Sequence, residues 1–303
     1  MDDRSHHEST RHRTEMTGHT LSVALITDVF YDDPDGARLE GRLEEARRLG
    51  AELAVLPELP LNPWSPAFPE PREDDAEPLE GPRQERMATA ARKAGVALLG
   101  GAIIRSHDSG RRHNTAILID SSGEVAATHQ KLHLPDEDGY WETRHYEAGS
   151  TPPMVIDGFS LSLGVQICSD IQRPQGALLL AASGAEVILA PRCTPSASYA
   201  RWRTVMEGVA ITAAVYVLSV NRPAPEFGIP IGGPSVAIAP DGQVLLETDD
   251  PVAVVTLDRR RVAEAHQEYP GYLPMRADLY AYGWARAAAE VGAEIRMAGD
   301  LDE

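Results

Sequence analysis

At 303 residues, with 43% hydrophobic and 24% charged side chains, the chain is long enough for one large α/β domain or two small ones and has an ordinary globular composition. Its net charge of −18 argues against nucleic acid or an anionic membrane as the main partner. Two cysteines make no disulfide framework, which points to a reducing cytoplasm, and no apolar run reaches the roughly 18 residues of a membrane-crossing helix.

Met1 to Thr20 carries four histidines but no apolar core of a signal peptide, and is expected to be a disordered leader in which His6-His7 is simply solvated. Leu21 to Asp28 reads as a first strand, and residues 36–49 as an amphipathic helix rich in Arg and Glu. Gly50 to Glu58 is a buried strand that ends in a proline and a carboxylate. Asn62 to Pro78, rich in Pro and acidic residues, reads as a surface loop. A helix is expected over 81–94, then strands over 96–104 and 114–120, the turn Ser121-Ser-Gly123, and a strand over 124–129 that leads into Lys131. Residues 161–168 form an apolar strand, 174–183 a helix and 184–191 another buried strand. A helix over 200–214 and a strand over 216–221 precede a hairpin, 234–239 with 243–248, around Pro240-Asp-Gly242. A last strand over 252–257 and a short helix follow. The aromatic, Pro/Gly-rich stretch 269–282 then gives way to a C-terminal helix or tail, 283–303, suited to oligomer contacts. Strands and helices alternate without a linker, so residues 21–282 are expected to form one domain.

An internal echo suggests how that domain is built. Gly50-Ala-Glu-Leu-Ala-Val-Leu-Pro57 and Gly184-Ala-Glu-Val-Ile-Leu-Ala-Pro191 share nearly the same letters and the same helix-then-strand context. Two related α/β halves, stacked sheet to sheet with helices outside, would produce it. Glu58 and Arg192 take the same place at the end of each strand, the end at which open α/β sheets bind ligands.

Three polar residues thus end apolar strands: Glu58, Lys131 and Cys168. Cys168 sits where its strand gives way to Ser, Asp and Gln, before Pro174, which suits the first turn of a helix. A thiol at such an elbow lies near free backbone N–H groups and the positive end of a helix, which favour thiolate and can bind an oxyanion. A carboxylate can take the thiol proton, a lysine can hold charge on a carbonyl oxygen, and a thiolate can attack carbon. Each also has a plain reading, as a strand-end charge, a solvated edge with His129 and His133, or a small buried hydrophobe. Spacing alone does not choose between them.

The same segments resemble the nitrilase superfamily of carbon–nitrogen hydrolases, over about residues 21–282. Leu56-Pro-Glu58 is similar to its first motif, Gln130-Lys131-Leu-His-Leu-Pro to its second, and Gly164-Val-Gln-Ile-Cys168-Ser-Asp170 to its third. The resemblance implies a four-layer α-β-β-α sandwich. It also implies Glu58 as general base, Lys131 as oxyanion holder and Cys168 as nucleophile, with the backbone N–H of Ser169 as a second oxyanion donor. Gly139-Tyr-Trp-Glu142 is similar to the loop carrying the family's further glutamate, so Glu142 is expected to hold Lys131. Residues 202–208, 220–222 and 276–280 look most like the N-carbamoyl amine amidohydrolases, such as those acting on carbamoylputrescine. A nitrilase or an ω-amidase acting on a dicarboxylic monoamide is the alternative, and an inactive scaffold on the same fold a third. No metal or cofactor is implied, the partner being a small amide or carbamoyl substrate, and relatives suggest a homodimer or larger homo-oligomer.

Two departures from the family pattern bear on substrate. Gln172-Arg173-Pro174-Gln175 stands where an aromatic residue and Pro-Glu are usual, and Arg192-Cys193-Thr194 where small neutral residues are usual. Arg173 and Arg192 therefore become candidates to pair with a substrate carboxylate, which guanidinium binds bidentately. Cys193 reads as structural.

Overall fold

A computed structural model describes residues 19–299; most of the expected leader and the last four residues lie outside the described residues. The first half of the chain runs β1 (Thr20–Leu25), α1 (Ala37–Arg48), β2 (Leu53–Val55), β3 (Ala76–Glu77), α2 (Pro82–Ala94), β4 (Ala97–Arg105), β5 (Arg112–Ile119) and β6 (Val125–Gln130). A small hairpin, β7 (Asp136–Glu137) with β8 (Tyr140–Trp141), and the one-turn helix α3 (Glu142–His145) lead to the second half. That half runs β9 (Leu163–Val165), α4 (Pro174–Ala182), β10 (Val187–Leu189), α5 (Tyr199–Ala213), β11 (Tyr216–Ser219), β12 (Ser235–Ile238) and β13 (Val244–Thr248). β14 (Ala253–Asp258), α6 (Arg259–Ala265) and α7 (Ala277–Gly299) close the chain.

Seven strands form one sheet in the order β14-β1-β2-β4-β5-β6, with β3 also paired to β4, and five form a second in the order β13-β12-β11-β10-β9. β1, β2 and β4 are parallel, as are β9, β10 and β11. Each half is thus a βαβαβ unit extended by an antiparallel meander. The period-2 alternation of the strands sorts their side chains into layers. Val23, Leu25, Val55, Leu99 and Leu118 meet Leu163, Val165, Leu189 and Leu218 between the sheets. On the outer face of the first sheet, Ala24, Ala54 and Ile117 pack under Leu39 and Leu43 of α1 and Met87 and Ala91 of α2. On the second, Ile188, Val217 and Val236 pack under Leu180 of α4 and Met206 and Ala210 of α5. The result is an α-β-β-α sandwich, in which each fully buried Leu or Val contributes about 1.5–3 kcal/mol of transfer free energy. Among the described residues no helix is long and apolar enough to cross a membrane.

The sequence echo reappears as a repeated set of hydrogen bonds. Gly50 and Gly184 follow α1 and α4 with φ of 89° and 102°, where a Cβ is strained. Ala51 and Ala185 then donate to Ala46 and Leu180 at the ends of those helices. Glu52 receives the N–H of Ser22 in its carboxylate and donates its own N–H to Ser22 O; Glu186 makes the same pair of bonds with Ser162. One local solution, used twice, sets the helix-to-strand register in both halves.

One expectation needs correction. The stretch from Asn62 to Pro78 is not a solvated loop: Asn62, Trp64, Ser65, Asp75 and Glu77 are buried. Its Pro and acidic content masks an anchor, since Trp64 donates Nε1–H to Gly139 O and packs on Tyr140. The last strand, β14, crosses to pair antiparallel with β1, placing Val255 opposite Val23.

Candidate active site

Glu58, Lys131 and Cys168 lie just beyond the carboxyl ends of β2, β6 and β9, and Glu142 opens α3. All four are buried, at 2%, 1%, 5% and 1% exposure. Lys131 Nζ donates to Glu58 Oε1 at 2.8 Å and to both Glu142 oxygens at 2.7 and 2.6 Å. Asn114 on β5 donates its Nδ2–H to the same Glu58 Oε1 at 2.8 Å. Glu58 Oε2 is buried without a partner among the described residues. One oxygen of Glu58 is therefore fixed and the other is available for proton exchange.

The charges explain the titration. Burial pulls the Lys131 ammonium down, but Glu142 and Glu58 more than offset it, so it is held well above its usual range. Burial pushes the Glu142 carboxyl up to about 8 against the pull of Lys131, and Glu58 adds to the rise. Two carboxylates facing one ammonium leave an excess negative charge, so the cluster readily takes up a proton. Burial, then Glu58, also raises the Cys168 thiol well above its usual range, with Lys131 opposing. The resting nucleophile is a thiol and needs an adjacent base.

Cys168 has φ of 47°, a conformation that costs a non-glycine residue about 1–2 kcal/mol. Its N–H donates to Pro191 O at 2.8 Å, and Sγ lies 3.9 Å from Cys193 O. Cys168–Gln172 is a 3₁₀ turn, so the strand does not pass straight into α4, which begins with Pro174 in its first turn. Asp170 on that turn is fully buried. Its Oδ1 accepts the N–H groups of Leu132 and His133 and the His133 ring, and its Oδ2 accepts Ile167 N–H and the His129 ring at 3.4 Å. Against burial, the bonds from His129 and His133 bring its carboxyl down to about 2. Asp170 thus ties the residues after Lys131 to the residue before Cys168.

Ser169 Oγ donates to His133 O, and its N–H has no acceptor among the described residues. Arg192 is buried, but its guanidinium goes to Ser219 Oγ at 3.0 Å, Thr194 Oγ1 at 2.6 Å and Pro234 O. It has no carboxylate partner among the described residues, and burial lowers it to about 10. Arg173 is exposed where the 3₁₀ turn meets α4, and its side chain makes no hydrogen bond among the described residues. The structure does not bring it to the cluster, because a residue ahead of α4 faces solvent. Cys193 is buried beside Trp64, Tyr146 and Ile231. Reading the sequence missed Asn114, which sits inside an apolar strand, and the hydroxyls of Tyr140 and Tyr146. These are buried without partners, and burial raises both phenols. Only the fold brings them to Glu58.

The family model for carbon-nitrogen hydrolases matches residues 32–267. The chain belongs to that family. It is a hydrolase of carbon–nitrogen bonds on this fold. Curated relatives include omega-amidase NIT2 of Bos taurus, 28% identical over 79% of this chain and 88% of the relative, and that of Danio rerio, 29% identical over 80% and 89%. A solved carbon-nitrogen hydrolase of Helicobacter pylori G27 shares the fold with a TM-score of 0.78 at 22% identity, covering 87% of this chain and 98% of the other. An amidase of Nesterenkonia sp. superposes with a TM-score of 0.68 at 25% identity over 82% and 95%. These four proteins are named as omega-amidases, a carbon-nitrogen hydrolase and an amidase, and none of them as an N-carbamoyl amine amidohydrolase.

Proposed function

We propose that the protein is a small-molecule amidase working through a covalent cysteine intermediate. The observation that carries this reading is the single buried cluster of Glu58, Lys131 and Glu142 beside a strained Cys168 whose thiol is held protonated. Glu58 Oε2 takes the Sγ proton as sulfur adds to the amide carbon. Lys131 Nζ and the N–H of Ser169 receive the oxyanion. Glu58 returns the proton to the nitrogen as the C–N bond breaks, and ammonia leaves a thioester on Cys168. Glu58 then takes a proton from water, whose oxygen adds to the thioester carbon; release of the carboxylic acid restores the thiol. The sum is amide plus water giving carboxylate and ammonium. Glu142 holds Lys131 throughout.

For the substrate we favour a dicarboxylic monoamide over an N-carbamoyl amine. The curated relatives named omega-amidase support this, and so does a buried Arg192 cation near the nucleophile without an anion of its own. The protein is further expected to act in the cytoplasm as a homo-oligomer, for which exposed Tyr272, Leu279, Tyr280 and Trp284 offer apolar surface; light scattering of the purified chain tests this. Ammonia release is measured on a dicarboxylic monoamide, an N-carbamoyl amine, an N-carbamoyl amino acid and a nitrile, with Cys168→Ala as blank. Turnover led by the monoamide supports the substrate reading. A lead by the carbamoyl amine overturns that reading alone, and ammonia release undiminished in Cys168→Ala overturns the mechanism.

A further inference from the structure

In the proposed reaction Glu58 exchanges protons with both Cys168 and water, so its carboxylate has to keep its aim through two half-reactions. Yet Glu58 lies three residues beyond the end of β2, and Leu59 after it has φ of 48°, a left-handed turn that a leucine adopts only when its surroundings impose it. The constraint comes from the other half of the chain. Arg222, three residues beyond the end of β11, is fully buried. Its Nη1 donates to Glu58 O at 2.9 Å and Leu59 O at 2.8 Å, and its Nη2 to Asn62 O at 3.1 Å. Nε donates to Glu226 Oε1 at 2.7 Å, and Glu226 Oε2 accepts the N–H of Trp64 at 3.0 Å. One ion pair therefore grips four main-chain groups between residues 58 and 64. The preceding residue, Asn221, is itself tied to Thr194 and Gly232, which fixes the base of the guanidinium.

We propose that Arg222, with Glu226 as its counter-ion, is the positioning residue of Glu58. The inference rests on Glu58 being the general base. Arg222 bonds only to the main chain of that turn, so it acts by holding the backbone from which the carboxylate projects. The task suits guanidinium: a planar fork spreads donors over three carbonyls and a carboxylate, whereas an ammonium presents all its donors from one point.

The test compares Arg222→Lys, the double variant Arg222→Met with Glu226→Gln, and Glu226→Gln alone, in the full-length protein. The double variant avoids leaving an unpaired buried carboxylate. Turnover of the best substrate and the alkylation rate of Cys168 by iodoacetamide are both measured, the second needing no substrate. Folded Arg222 variants are expected to lose kcat about 100-fold, with KM within threefold of wild type, and to alkylate Cys168 at least tenfold more slowly; these magnitudes reflect the sensitivity of proton transfer to geometry. Glu226→Gln leaves the guanidinium its three carbonyls but loosens its anchor, and about a tenfold loss of kcat is expected from it. A folded variant with kcat within threefold of wild type, or with the loss confined to KM, overturns the proposal. If the Arg222 variants do not fold, Glu226→Gln decides by the same criteria. Glu58→Gln runs alongside: an active Glu58→Gln overturns the base reading itself, while an inactive one beside unimpaired Arg222 and Glu226 variants overturns only the positioning role.

Discussion

Glu142→Gln is the substitution that most directly tests how the cluster works. Glu142 gives Lys131 two of its three carboxylate bonds, at 2.7 and 2.6 Å, and Glu58 gives the third at 2.8 Å. A glutamine keeps nearly the same shape and still offers an oxygen, but cannot carry the negative charge that Glu142 holds once ionised, above pH about 8. Lys131 then faces a single carboxylate, and its full pull falls on Glu58. A charge pair about 4 Å apart is worth about 4 kcal/mol at an effective dielectric constant of about 20, and about half to all of that is expected to be added to the barrier of the proton-transfer step. Each 1.36 kcal/mol is tenfold in rate, so kcat should fall about 30- to 1000-fold. KM should hardly move, since the substrate does not bind Glu142 in this scheme. Burial alone favours a neutral group at this site, because it pushes the Glu142 carboxyl up, so the unfolding midpoint should stay close to wild type or rise. Steady-state ammonia release on the alkaline side of pH about 8, where Glu142 is ionised, and a thermal melt on one preparation check both parts. A folded Glu142→Gln enzyme keeping more than a third of wild-type kcat would refute the idea that Glu142 tunes the base through Lys131.

Cys168→Ala should abolish turnover while the unfolding midpoint shifts by only a few degrees, because alanine carries the same left-handed strain at φ 47° and vacates little volume; retained activity speaks against the covalent route. Asn114→Leu removes the neutral donor to Glu58 Oε1, a charge-assisted bond worth about 1.5–3 kcal/mol, so kcat should drop about 10- to 100-fold with Cys168 still alkylated; an unchanged kcat rejects a role for Asn114 in holding the base. Asp170 titrates at about 2 when folded, below the unfolded value of about 3.9. Its contribution, roughly 2–3 kcal/mol by linkage, is therefore fully present above pH about 4 and lost as pH falls toward 2. Asp170→Asn should lower stability at neutral pH and flatten that acid limb in pH-dependent melts; parallel acid limbs in variant and wild type would show that Asp170 does not supply it.

Much of the fold was legible because the same short-range chemistry is written twice. Glycines that accept positive φ end α1 and α4, and glutamates that accept a first-strand N–H follow at the same offset. An eight-residue echo therefore carried real information about two stacked halves. Glu58, Lys131 and Cys168 stood out because a charged or nucleophilic group closing an apolar strand breaks the pattern of its neighbourhood. Trp64 and its buried neighbours were hidden for the opposite reason: proline and acidic residues around them read as solvent-facing, and nothing local reveals a carbonyl waiting at Gly139.

What the sequence could not show is how the site is held. Asn114 reaches Glu58 across 56 residues, Asp170 reaches His133 across 37, and Arg222 reaches the carbonyl of Glu58 across 164. None of these has a periodic or local signature: the first exists only once β2 and β5 share a sheet, and the other two only after the two sheets have stacked. The bonds nevertheless share a logic. Cys168 and Leu59 both hold left-handed backbone beside the reacting groups, and each strained turn is tied down from an element far away in sequence, by Pro191 at Cys168 and by Arg222 at Leu59. Strain of this kind persists only where the surrounding structure over-determines it. The sandwich core therefore does more than support the site, since stacking the second half on the first is what aims the Glu58 carboxylate that the first half supplies.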